Sequence, residues 1–159
     1  RGGPQDIGVV HVDRYSTGSI HREPGDRGAL EEAGLPFLPS RVVEAEFTEE
    51  GAYELTEGFI SANPRLTAVF VASDLMAIGV MKRITELGLR VPEDISLMGF
   101  DDIVLSSYTT PKLSTIRQDF VGLGYAALEQ VVKMLERNTP GYNKILPFSI
   151  VDRETIMIL

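Results

Sequence analysis

Three carboxylates stand directly after apolar runs of the chain: Asp74 follows LTAVFVAS, residues 66–73, and Asp101 and Asp102 follow ISLMGF, residues 95–100. A carboxylate so placed can accept paired hydrogen bonds from the hydroxyls of a sugar or the ring N–H groups of a base. The same residues have a plainer use, Asp74 as a helix N-cap and Asp101 with Asp102 as shapers of a turn. Spacing alone leaves both open. Arg22, ten residues past the first apolar run, can bring a fixed cationic fork to a ligand or stand as a solvated charge. Phe47 closes the second run and either stacks on a flat ligand face or belongs to the core.

Other chemistries lack the residues they need. His11 and Asp13 are spaced H-x-D, but two metal ligands without a third make a weak site. His21 has neither a cysteine nucleophile nor a G-x-S-x-G serine to serve. Gly122–Ala127 spells G-x-G-x-x-A, yet it falls inside an expected helix rather than at a strand-to-helix turn, and no G-x-x-x-x-G-K-[ST] loop occurs. A nucleotide-using enzyme would need a phosphate-cradling turn after the first strand, and VDRYSTG, residues 12–18, is a poor one. No catalytic residue, metal or cofactor is expected.

The elements that must position the candidates follow from composition and period. At 159 residues and 43% hydrophobic content, one compact domain is expected. The net charge of −8 opposes binding to a phosphate backbone by this piece alone. There is no cysteine, so packing rather than disulfides must hold the fold, and a reducing cytoplasm fits. No apolar run approaches the roughly 20 residues of a membrane span. The Arg-Gly-Gly-Pro start without an initiator Met points to a piece of something longer.

IGVVHV (7–12), VVEAEF (42–47), LTAVFVAS (66–73), ISLMGF (95–100) and ILPFSIV (145–151) read as strands apolar on both faces. Helical spacing joins Ala52, Leu55, Phe59 and Ile60 after an N-cap at Thr48, with Asn63-Pro64 as the stop. Ala77, Val80, Met81, Ile84 and Leu87 form a stripe after Ser73-Asp74, with Gly88 as its C-terminal cap. A third helix, 120–137, has a broad apolar face that needs a large partner surface, and 138–144 reads as a turn or linker. Alternating strands and helices predict an α/β fold, a mainly parallel sheet with helices on both faces, flavodoxin-like or Rossmann-like.

Residues 66–120 carry V-F-x-A-S-D at Val69–Asp74, G-L-R-V-P-E-D-I-S at Gly88–Ser96, G-F-D-D at Gly99–Asp102 and Y-T-T-P-x-L-S-T-I-R-Q at Tyr108–Gln118. Four such blocks in order closely resemble the C-terminal half of LacI/GalR transcription regulators. A fainter likeness, through GALEEAGLP (28–36), FTEEGAYE (47–54) and LPFSIVDRET (146–155), extends it over nearly the whole chain. The resemblance implies a periplasmic-binding-protein-like fold whose two subdomains close on a small effector, a sugar or nucleoside-like molecule. It implies a C-terminal subdomain with a core of 1–117 and 145–159, a helix 120–137 that packs into an N-terminal subdomain, and an absent helix-turn-helix through which alone DNA is bound. It further implies a cytoplasmic homodimer with no membrane contact, and a sensor that works by allostery rather than catalysis. A periplasmic sugar-binding protein of a transporter is the alternative.

By the same resemblance, Arg22, Phe47, Ser73, Asp74 and Asp101 are the effector-binding residues. Ser73 stands where the family often has Asn, and a hydroxyl offers a different hydrogen-bond set from an amide. Pro24 and Asp26 stand where the family continues a helix with apolar or aromatic residues, and proline restricts Glu23 away from helical geometry.

Overall fold

In the computed structural model, which describes residues 6–12, 17–137 and 140–157, the apolar runs pair as one sheet. Strands β1 (Ile7–Val12), β2 (Val42–Ala45), β3 (Ala68–Val71), β4 (Ser96–Asp101), β5 (Ser114–Gln118) and β6 (Phe148–Val151) lie in the order β2-β1-β3-β4-β5-β6. The first five are parallel, and β6 joins the β5 edge antiparallel. The helices are α1 (Thr17–Glu32), α2 (Glu49–Ala62), α3 (Asp74–Glu86) and α4 (Phe120–Arg137). The mainly parallel α/β sheet with helices on both faces is thus observed.

The core lies on the face that α2 and α3 cover. Val10, Val69, Val71 and Leu97 of the sheet meet Ala52 and Phe59 of α2 and Met76, Ala77, Val80 and Ile84 of α3. Met76, Ile84, Leu97 and Leu113 are fully buried, and each contributes about 2 kcal/mol by leaving water. Thr48 caps α2 by accepting from the Gly51 N–H at 3.0 Å, with Glu49 and Glu50 in the first turn. α3 ends at Glu86 with Leu87 as its C-cap, followed by Gly88 at φ +78°.

Four expectations change in detail. VVEAEF holds its strand only to Ala45, so Phe47 falls beyond the sheet. ILPFSIV is not buried on both faces: only Phe148–Val151 pairs, as an edge strand with Phe148 and Ile150 exposed. STIRQ, residues 114–118, is a strand although it has no apolar run, because Ser114 and Thr115 are buried through hydrogen bonds rather than apolar packing. Pro24 does not break α1, which runs through Glu23 and Pro24 to Glu32. The lost Pro24 N–H deprives only the Ile20 carbonyl of its helical donor, and both residues lie at the exposed surface, where water can serve instead.

α4 spans the expected 120–137 and stands apart from the core: Val121 is 85%, Leu128 70% and Leu135 80% exposed. Of the expected linker, residues 140–144 carry no helix or strand, and 138 and 139 lie outside the described residues, as do residues 1–5. No helix among the described residues is long and apolar enough to cross a membrane.

α2 and α3 cross at Gly79, where an added Cβ would overlap the backbone carbonyl of Glu49. Backbone cannot swing aside as a side chain does. Gly79→Ala should therefore lower the unfolding free energy by about 1–3 kcal/mol, read as a lower urea midpoint; a midpoint equal to that of the parent chain would contradict this crossing.

Candidate functional site

The carboxyl ends of the parallel strands form one edge of the sheet, and ligands of open α/β sheets bind outside that edge. β3 ends beside Ser73 and Asp74, β4 ends in Asp101 and Asp102, β5 ends in Gln118, and the first turns of α1 bring Arg22 alongside. Arg22 donates from Nη1 to the Ala72 carbonyl at 2.9 Å, and its guanidinium lies 4.0 Å from the centre of the Phe100 ring. One hydrogen bond and one cation–π contact hold this half-buried cation in place. Its charge is also felt at Asp101.

Asp101 and Asp102 both have left-handed backbone, φ +111° and +55°, a conformation that costs a non-glycine residue about 1–3 kcal/mol. The turn sends the two side chains to opposite fates. Asp102 receives Arg117 Nε and Arg153 Nη2, each at 2.5 Å. Burial alone would raise its pKa, but the hydrogen bonds and charges of Arg153 and Arg117 outweigh that and hold it below the usual carboxylate value. Among the described residues, Asp101 accepts one side-chain hydrogen bond, from Gln118 Nε2 at 2.7 Å. Burial lifts its pKa above the ordinary value; the Gln118 bond and the charge of Arg22 oppose the lift, and the charge of Asp74 adds to it. A cavity of about 460 Å³ opens here, lined by Asp101, Gln118, Asp119, Phe120 and Phe148 among others.

Of the five expected effector residues, the structure brings Arg22 and Asp101 together on this edge. Phe47 follows β2 and is 55% exposed, so it is not core. Ser73 is buried, and its hydroxyl accepts from the Leu75 N–H at 3.3 Å as the cap of α3. Asp74 is 0% exposed, and its oxygens accept from Thr115 Oγ1 at 2.5 Å, Ser106 Oγ at 2.6 Å and the Ile103 N–H at 3.0 Å. With both oxygens so engaged, Asp74 belongs inside the wall rather than on its surface.

Gln118, Phe100 and Phe120 join the edge without having been singled out. Gln118 is a polar residue at the carboxyl end of a strand, but β5 has no apolar run to mark it as one in the sequence. Asp13 and most of 12–18 lie outside the described residues. His11 is buried beside Asp26, and no group of three or more potential metal ligands occurs among the described residues. His21 is exposed on α1, and Gly122–Ala127 lies within α4.

Removing the Asp74 carboxylate would strand two buried hydroxyl donors and the partly buried Ile103 N–H, so Asp74→Ala should cost about 3 kcal/mol or more in chemical denaturation, and a loss below about 1 kcal/mol would refute the assigned role. Asp101 and Asp102 should act oppositely with pH. The folded pKa of Asp101 is raised, so its contribution to stability is full at low pH and is lost as the pH rises through the folded value; that of Asp102 is present above the unfolded value and is lost as the pH falls through its depressed folded value. The stability difference between the parent chain and Asp101→Asn should accordingly shrink from acid toward neutral pH, and that for Asp102→Asn should grow. Parallel pH profiles for the two variants would contradict both assignments.

Comparison with known proteins agrees with this fold. The family model for the periplasmic binding protein-like domain matches residues 1–156. The ribose operon repressor of Haemophilus influenzae is 35% identical over 158 residues, which cover 99% of this chain and 48% of the repressor. The HTH-type transcriptional repressor PurR of Pasteurella multocida is 40% identical over 126 residues, 79% of this chain and 38% of that protein. Among solved structures, the Lac repressor dimer bound to operator and the anti-inducer ONPF superimposes with a TM-score of 0.91 at 32% identity, covering 98% of this chain and 54% of that one. The complex of the transcriptional regulator CelR with cellobiose gives a TM-score of 0.90 at 25% identity, covering 96% and 47%. The chain thus spans about half the length of these relatives or less. It belongs to the periplasmic binding protein-like family, in the form carried by LacI-type transcription regulators.

Proposed function

We propose that this chain forms one wall of the effector cleft of a LacI-type transcription regulator, and that it senses a hydroxyl-rich small molecule, a carbohydrate or nucleoside. The observation that carries this reading is the pairing of a fixed cation with a lightly bonded carboxylate on the carboxyl edge: Arg22 is pinned by Ala72 and Phe100, and among the described residues Asp101 accepts a single side-chain hydrogen bond. Such a pair offers a donor fork and acceptor oxygens to a ligand whose hydroxyls both donate and accept. Phe47 supplies an exposed aromatic face for stacking. Ser73 and Asp74 support this surface from behind. The relatives are named as repressors and one neighbour holds cellobiose, which favours regulation over transport and binding over catalysis.

On this reading α4 packs into an N-terminal subdomain supplied by the rest of the polypeptide, while 1–117 and 145–159 form the C-terminal subdomain. The exposed apolar face of α4 supports that assignment. Effector closes the two subdomains on each other, and the shift between open and closed forms alters the DNA affinity of a cytoplasmic homodimer whose helix-turn-helix lies elsewhere in the protein. One wall alone holds effector weakly.

The test is calorimetric titration of the intact regulator with a panel of carbohydrates and nucleosides. Arg22→Ala and Asp101→Ala should each weaken the bound member by about 10- to 100-fold, with folding retained. Ligand hydroxyls that donate to Asp101 favour its ionised form, so affinity should rise with pH through the raised titration of Asp101 and lose that dependence in Asp101→Asn. Unchanged affinity in both alanine variants would overturn the site.

A further inference from the structure

Phosphorylated ligands of α/β sheets are held at the carboxyl edge by helix starts, where free backbone N–H groups and the helix dipole meet the anion. In this chain the starts of α2, α3 and α4, which follow β2, β3 and β5, are filled by the chain's own oxygens. Thr48 Oγ1 takes the Gly51 N–H of α2, with Glu49 and Glu50 in the same turn. Ser73 Oγ takes the Leu75 N–H of α3, and Asp74 stands beside it in the first turn. Asp119 Oδ1 takes the Gly122 N–H of α4 at 2.9 Å, and its carboxylate fills the space that a Cβ at Gly122 would need. After β1, the sequence VDRYSTG has no glycine before Gly18 to cradle a phosphate.

The cations of the edge are committed as well. Arg117 and Arg153 both engage Asp102, and the charge of Arg22 is balanced by Asp101. The cavity beside them is lined by Asp101, Asp102 and Asp119 against Arg117. We infer that the effector carries no phosphate or other anionic group, and that Asp101 and Asp119 turn such compounds away. The inference rests on the proposed effector cleft and narrows it: neutral carbohydrates and nucleosides are admitted, sugar phosphates and nucleotides are not. A carboxylate about 6 Å from a phosphate disfavours it on the order of 100-fold at an effective dielectric constant of about 20, and salt reduces the effect.

The experiment titrates the intact regulator calorimetrically with ribose, glucose, cellobiose and adenosine, each beside its monophosphate ester. The neutral compound that binds should do so at least about tenfold more tightly than its ester, and added salt should narrow the gap. Asp101→Asn and Asp119→Asn keep the shape of each side chain, and asparagine still caps a helix; each should reduce the preference by about threefold or more. An ester that binds as tightly as its neutral parent, with binding still lost in Arg22→Ala, overturns the inference and leaves the cleft reading standing. A preference that neither asparagine variant narrows overturns it too. Binding by none of these compounds, or binding indifferent to Arg22→Ala and Asp101→Ala, is instead the failure of the cleft reading and takes the inference with it.

Discussion

The buried carboxylate of Asp74 is the constraint on which the carboxyl edge of this sheet depends. An isolated charge at 0% exposure would cost several kcal/mol, and three donors together with the start of α3 offset that cost. Those donors come from three places in sequence: the residue after the Asp101–Asp102 turn, the short 3₁₀ segment Val104–Ser107, and β5. One side chain therefore ties α3 to everything between β4 and β5. Gly99 belongs to the same constraint, because a Cβ there would overlap the Asp74 carboxyl as it passes over β4. The left-handed backbone of Asp101 and Asp102 persists because the chain on either side of it is fixed.

With the turn held, two adjacent aspartates divide the work. Asp102 is a strut: Arg117 from β5 and Arg153 from the segment after β6 both engage it, and Arg153 also donates to the Leu113 carbonyl. Thr155 extends this stitching by donating to the Leu97 carbonyl and accepting the Ser114 N–H. Asp101, kept short of donors, is left for whatever approaches the edge. Arg22 shows the same economy, since among the described residues one hydrogen bond and one ring contact orient its five-donor guanidinium.

Periodicity made the α2–α3 face legible because that face is held by the force periodicity reports. Ala52, Phe59, Ala77, Val80 and Ile84 are apolar, helically spaced and buried together. β5 was illegible for the complementary reason: Ser114 and Thr115 are buried by hydrogen bonds to Thr155 and Asp74, partners 41 residues away in sequence. α1 misled because Pro24 is a helix breaker only where its lost donor matters, and here the helix lies at the surface. Of the candidate site, residue type together with position past a strand picked out Asp101, which lies at the carboxyl end of β4. Neither could separate a carboxylate left at the edge from one turned inward, and Asp74 differs from Asp101 in where its donors lie.

The joint between β5 and α4 links the edge to the helix that the core leaves uncovered. Gln118, the last residue of β5, donates to Asp101, and the next residue, Asp119, accepts the Gly122 N–H in the first turn of α4. No slack separates the two bonds. A ligand that takes the Asp101 carboxylate competes with the Gln118 amide, and any movement of Gln118 is passed to the first turn of an 18-residue helix. α4 makes little use of the core for support, so its direction is set by this joint and by whatever covers Val121, Leu128 and Leu135. Burying each of these would contribute about 2 kcal/mol, enough for a partner surface and a ligand at Asp101 to bias the same element. On the proposed reading, an effector at Asp101 and a partner surface on α4 would act on the same element through Gln118 and Asp119, which is the arrangement that coupling between two sites requires.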